Sequence, residues 1–344
     1  MFPVFRARAG WMALTAIVVA ASAASAQTPE AFYKGRAIDL IVGYPPGGSN
    51  DLYARIVARH MGKYIPGNPT LVFRNMPGAG SIVASNYVYN IAPKDGSVLA
   101  LVSPTSPLDE KLGAVGAKYD SGKFTWIGRM AASTNATFFM KDSPIKTVDD
   151  MFTKESRLSA TGAGSTVVVF PTVMNNVLHS KFNLIMGYKG SGEAMLAMSR
   201  GESDGHSTSL DALDAEHPDW IKDGTVRVLV QYGLERHPLL PDVPTVVELA
   251  KTDEQRDILR AVMSSVEVGK MIFSSPGIPA DRAETLRRAF DKMVKDPEFV
   301  ADVEKARMDI GPMRGEDLQK LVQSVVGMPP DLLEKVKKIY PQGG

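Results

Sequence analysis

The residues best able to do chemistry in this 344-residue chain are small ones, set in two turns of similar design. The first is Gly43-Tyr44-Pro45-Pro46-Gly47-Gly48-Ser49-Asn50, and the second is Arg74-Asn75-Met76-Pro77-Gly78-Ala79-Gly80-Ser81. Each follows a short apolar run suited to a buried strand, Ile38–Val42 and Thr70–Phe73, and each precedes residues with helical spacing. A helix start aims several unpaired backbone N–H groups at one spot, and such a spot binds anions. The prolines stiffen the turn, and the glycines let a ligand approach the backbone. Ser49 or Asn50 is the expected cap of the first helix, with Asp51 favoured by its dipole. Taken alone such a turn is ordinary in α/β proteins. Two so close in sequence suggest a shared binding face at one sheet edge.

Further candidates follow along the chain. A third strand, Ser97–Val102, ends in the hydroxyls Ser103, Thr105 and Ser106; in a parallel sheet these reach the same edge, and ordinary loop polarity explains them equally well. Leu158-Ser159-Ala160 leads into Thr161-Gly162-Ala163-Gly164-Ser165-Thr166, a third strand, glycine turn and helix. Tyr188 and Lys189 stand in another glycine turn, where Lys189 is either a solvated charge or a ligand contact. A short strand, Asp204–Ser209, carries Ser207, Thr208 and Ser209.

Enzymatic sets are missing. None of the five histidines stands in an H-E-x-x-H helix, so zinc hydrolysis is not indicated. There is no G-x-S-x-G elbow, no cysteine nucleophile and no P-loop lysine. Gly162-x-Gly164 lacks the later glycine and the downstream acid of a dinucleotide site. Ser165 reads as helix-capping chemistry before it reads as a nucleophile. No cofactor and no metal are expected.

The elements that must position these turns form two α/β sets. Residues 27–129 and 232–328 are expected to make one discontinuous domain, 130–231 a second, and 329–344 a surface tail. The return crossing is expected at Val226–Gln231 and a helix over Val246–Val268. Pro171 should sit in the first turn of its helix or bend it. Residues 1–26 have the shape of a signal peptide: Arg6 and Arg8, an apolar run at Trp11–Ala21 too short to span a bilayer, and Ala24-Ser25-Ala26 for cleavage. The formal charge is +1, and removing Arg6 and Arg8 with the leader leaves −1. A near-neutral chain without a basic block argues against a nucleic-acid partner. With no cysteine, a lipid-modified anchor is excluded and a large core replaces disulfides.

In this order the motifs resemble one family. PPGG-x-x-D at Pro45–Asp51, Ala54-Arg55, N-x-PGAG at Asn75–Gly80 and P-x-DG at Pro93–Gly96 are similar to the tripartite tricarboxylate transporter substrate-binding proteins, or Bug family. Tyr119-Asp120, Phe124-Thr125, Gly162-x-Gly164-Ser165, Tyr188-Lys189-Gly190, Gly201–Asp204 and Pro241–Thr245 follow in the same order, so the resemblance spans Glu30 to Pro312. Ser203 and Ser81 depart from the usual residues, and Val246–Lys270 is longer than usual.

The resemblance implies a two-lobed periplasmic binding protein of Venus-flytrap type with a hinged interdomain cleft. It implies a monomeric periplasmic receptor that hands a small carboxylate to membrane transporter subunits. C4–C6 dicarboxylates, citrate-like acids, aromatic acids and amino acids are all in the implied class. The ligand carboxylate would lie between Pro46, Gly47, Gly48, Ser49 and Asn50, beside Tyr44, and Gly78, Ala79, Gly80 and Ser81, with Ser103 and Thr105 behind. The second lobe would close with Gly164, Ser165, Thr166, Tyr188, Lys189 and Thr208. The alternatives are a sensor presenting ligand to a membrane receptor, and a secreted enzyme acting on a carboxylated substrate.

Overall fold

The structure is a computed structural model that describes Met1 and residues 27–341. The expected signal peptide therefore lies, beyond Met1 itself, outside the described residues. The chain opens with helix α1 (Pro29–Tyr33), then alternates strands β1 (Ala37–Val42), β2 (Thr70–Asn75) and β3 (Val98–Leu101) with helices α2 (Ser49–His60), α3 (Ile82–Asn90) and α4 (Ser106–Lys111). Strand β4 (Thr125–Arg129) leads out of this unit. A second unit runs β5 (Asn135–Met140), α5 (Asp150–Thr153), β6 (Ser156–Ser159), α6 (Thr166–Leu178), β7 (Phe182–Ile185), α7 (Ser191–Ser199), β8 (Gly205–Ser209), α8 (Leu210–Glu216) and β9 (Val226–Tyr232). The chain returns through α9 (Asp253–Val268) to β10 (Met271–Ser274), α10 (Ala280–Met293), α11 (Pro297–Lys305), β11 (Met313–Arg314), α12 (Gly315–Val326) and α13 (Pro330–Ile339).

Two sheets result. The first has the order β11-β4-β10-β3-β1-β2, the second β7-β6-β8-β5-β9. In the first, β1 pairs in parallel with β2 and β3, so the turns after β1 and β2 leave at the same edge. The alternation along each strand gives both faces to apolar cores: Leu40, Val42, Ile127 and Phe290 on one side, Ile41, Ala100, Trp126 and Phe273 on the other. In the second sheet β6 lies parallel to β7 and β8, which brings the starts of α6 and α7 and the end of β8 to one rim.

The crossings differ in part from the sequence reading. The outward one falls between Arg129 and Asn135. The expected return strand, β9, instead lies wholly in the second sheet, paired with β5, and the chain re-enters the first sheet only after α9. There the two crossing segments bond to each other: Met130 N–H donates to the Lys270 carbonyl at 2.9 Å and Lys270 N–H to the Ala131 carbonyl at 2.8 Å. Gly269 makes this possible, because its φ is +60° and a Cβ there would overlap the Ala131 carbonyl. Helix α9 begins at Asp253 rather than Val246, fixed by a capping box between Thr252 and Gln255. Pro171 lies inside α6, not in its first turn. The expected surface tail is helix α13, with Val336 and Tyr340 sealed in the same core as residues of α4, α6 and α9. Its amphipathic spacing, Leu332, Leu333, Val336 and Ile339, is why it packs. Among the described residues no helix is long and apolar enough to cross a membrane.

Candidate functional site

The first glycine turn is held from beneath by Asp51. One carboxylate oxygen accepts the Gly47 N–H at 3.0 Å and the Arg55 Nε at 2.8 Å; the other accepts Asn75 Nδ2 at 2.9 Å. Asn75 also donates to the Tyr44 carbonyl at 3.0 Å, so the ends of β1 and β2 are laced together. Burial alone would raise the Asp51 pKa, but Arg55, Asn75 and Gly47 together hold it below the ordinary carboxylate value. The cap of α2 is Gly48, in extended conformation and without a side-chain cap bond. Neither Ser49 nor Asn50 caps, which corrects the sequence reading: with Asp51 organising the turn, the Ser49 hydroxyl is released to face inward. It accepts from Lys270 Nζ at 3.2 Å and lies 3.4 Å from Ser209 Oγ of the opposite lobe.

The second turn has an unusual backbone. Gly78, Ala79, Gly80 and Ser81 carry φ values of +147°, +45°, +61° and +78°. Two are not glycine, and left-handed conformations there are strained and concentrate at functional positions. Ser81 explains part of the cost. Its hydroxyl donates to the Gly43 carbonyl at 3.0 Å and accepts the Ser103 N–H at 3.1 Å, clipping the ends of β1 and β3. Ser103 in turn bonds Thr105 at 2.8 Å, and Thr105 donates to Asp109 at 2.8 Å. The hydroxyls of Ser103 and Thr105 therefore turn into the fold rather than toward a ligand. Burial pushes the Tyr44 hydroxyl up to about 12 against bonds from Ser103 and Ser81, so it stays a neutral donor.

The opposite wall comes from the second lobe. Ser165 caps α6 through its backbone, while its hydroxyl lies 2.6 Å from Thr161 Oγ1. Lys189 N–H donates to Glu193 at 2.8 Å ahead of α7, and Ser191 Oγ lies 2.8 Å from Thr208 Oγ1. The lobes touch at one rim, where the Gly80 backbone packs on Gly164 so closely that a Cβ on Gly80 would overlap the Gly164 carbonyl.

Between the walls is a cavity of about 650 Å³, within the range of small-molecule sites. Of the candidates from sequence, Tyr44, Pro46–Asn50, Gly78–Ser81, Ser165, Thr166, Lys189 and Thr208 line it. Ser103, Thr105, Gly164 and Tyr188 stand outside the lining; the Tyr188 hydroxyl faces Glu202 at 3.4 Å.

Several lining residues escaped the sequence reading. Lys270 is 1% exposed, with its ammonium 3.4 Å from the Asp211 carboxylate and above the Tyr53 ring. Its signal was a lone lysine heading an apolar strand. Asn135 is also 1% exposed, and neither its amide nitrogen nor its amide oxygen has a partner. Ser133, Thr161, Ser191, Ser209, Glu193 and Glu216 complete the polar lining.

This arrangement of two doubly covered sheets, two crossings and a polar interlobe cleft defines a ligand-binding receptor fold. The family model described as "Tripartite tricarboxylate transporter family receptor" (TctC) matches residues 53–337, and the chain belongs to that family. A Cupriavidus necator relative, "UPF0065 protein in gbd 5'region", is 27% identical over 344 residues, covering 96% of this chain and 97% of its own. The structure of periplasmic binding protein BugD superposes with a TM-score of 0.70 at 22% identity, covering 90% of this chain and 99% of that one. MatC from Rhodopseudomonas palustris with bound malate gives a TM-score of 0.66 at 21% identity, covering 87% and 99%. These two likenesses establish the two-lobed periplasmic binding protein fold expected from the sequence.

Proposed function

We propose that this chain is a periplasmic receptor that takes a small carboxylate into the interlobe cleft and delivers it to the membrane subunits of a tripartite tricarboxylate-type transporter. The observation that carries this reading is the convergence of the α2, α6 and α7 starts and the Gly78–Ser81 turn on one cavity. First-turn amides have no partner within their own helix, and a carboxylate oxygen satisfies them with charge-assisted bonds. Asn135, buried and unpartnered, supplies a further donor and acceptor. Malate bound in MatC is the same chemistry in a similarly folded protein.

The division into lobes follows the two sheets, with α9 and α13 behind both. The leader at 1–26 directs secretion and is removed, and the mature chain works as a monomer without a nucleic-acid partner or cofactor. The Ser165 hydroxyl is bonded to Thr161, and no histidine is among the lining residues.

A carboxylate panel followed by thermal unfolding and then calorimetry tests the reading. A ligand at a hundredfold its Kd adds about 2.7 kcal/mol of stability. A panel in which no carboxylate shifts the unfolding midpoint, or one in which a compound is chemically converted, overturns it.

A further inference from the structure

One charge in the cleft has no use in carboxylate capture. Ser209, the cap of α8, and Ala212 and Glu216 within it lie at i, i+3 and i+7, the face that lines the cavity. The Glu216 carboxylate lies over Gly192 in the first turn of α7, and a Cβ at Gly192 would overlap it. Glycine at that place is what leaves the carboxylate its room. Among the described residues Glu216 makes no hydrogen bond or ion pair. The other lining acid, Glu193, accepts the Lys189 N–H, and the buried Lys270 is balanced by Asp211. Among the described residues no ion pair joins Lys189 to either glutamate. Partial burial raises the Glu216 pKa with nothing to offset it. Asn135, also in the lining, is a second polar group sealed from water with no partner of its own.

We propose that Glu216 forms a second subsite that takes an ammonium on the ligand, so that this receptor prefers an aminocarboxylate to a dicarboxylate. The inference rests on the carboxylate-receptor reading and adds the ligand's other end. An unpaired, half-desolvated carboxylate is repaid by a cation and repels a second carboxylate. The helix starts hold the ligand carboxylate, Asn135 bonds its middle or its donor, and Glu216 faces the amine.

Calorimetry on the mature chain with pairs of equal methylene number tests this: 4-aminobutyrate against glutarate, and 5-aminovalerate against adipate. The expected result is at least one pair in which the amine binds about tenfold or more tightly, the worth of one charged hydrogen bond. Glu216→Gln should narrow or reverse that ratio without lowering the thermal midpoint, since no internal bond is lost. The absence of any pair in which the amine binds the native chain more tightly than its dicarboxylate, or a ratio unchanged in Glu216→Gln, overturns the subsite while leaving the receptor reading intact. If no member of either series binds either protein, and the wider panel is also silent, the receptor reading falls and the subsite falls with it.

Discussion

Lys270 and Asp211 face each other at 3.4 Å, each almost sealed from water, one at the head of the returning strand and the other in the first turn of α8. The pair therefore joins the crossing segment to the second lobe beneath the cleft floor, and Ser49 extends it to the first lobe. Burial pushes the Asp211 pKa up, and Lys270 opposes that shift. Removing one partner leaves a buried charge alone. Lys270→Met should cost about 3–5 kcal/mol in urea unfolding, and the double change with Asp211→Leu should recover most of it. A single change that costs less than about 1 kcal/mol would show that the pair contributes little.

Asn135 separates binding from folding. Its side chain bonds nothing in the protein, so Asn135→Leu removes a desolvated amide without breaking a contact. The thermal midpoint should stay level or rise, while carboxylate affinity falls by about tenfold or more. Native affinity in this variant would take Asn135 out of the site.

The two glycine turns should respond to side chains in different ways. Gly48 has open space around it and an ordinary φ of −82°, so Gly48→Val should fold normally and block approach to the α2 amides. Gly80→Ala should wedge the lobes apart at Gly164. Small-angle scattering at saturating ligand should then give a larger radius of gyration than for the native chain. Equal radii would mean that the rim contact does not limit closure.

Two buried groups set opposing pH dependences. Burial pushes His206 down to about 4, from 6.5, against a bond from its Nδ1 to the Ser159 carbonyl. Between those values the unfolded chain binds more protons, so this contribution is lost as pH falls. Burial pushes Asp109 up to about 7, from 3.8, against hydroxyl bonds from Tyr340 and Thr105. Its folded form holds the proton, so acidification from about 7 restores stability that the charged form costs. Each is worth roughly 3–4 kcal/mol at most, at about 1.4 kcal/mol per pH unit. The native midpoint should change little from pH 6.5 to 4. Asp109→Asn should lose stability on acidification across that window, and His206→Asn should gain it. Parallel curves for all three would contradict this assignment.

Much of this architecture is legible in the residues themselves. The β1–α2, β2–α3 and β6–α6 units announce themselves through an apolar run, a glycine turn and helical spacing, because all three signals are local. What stays hidden is long-range. Lys270 meets Ser49 across 221 positions, and Asn135 is buried by chain distant from it. Hydroxyls are hard to place for a related reason. Ser81 lines the cavity while its hydroxyl bonds the Gly43 carbonyl, and the hydroxyls of Ser103 and Thr105 bond within the fold. The return crossing falls later than expected because the segment between β9 and β10, helix α9 included, joins neither sheet, and only sheet pairing shows where the first sheet resumes.

Helix α13 and the residue after it form a clasp rather than a tail. Its Val336 and Tyr340 lie in the core shared by α4, α6 and α9, and the Tyr340 hydroxyl is tied to Asp109 at 2.7 Å. The paired segments at Met130–Ala131 and Gly269–Lys270 are a second tie between the two sheets, so residues 330–340 and the crossing segments brace the lobes at separate places.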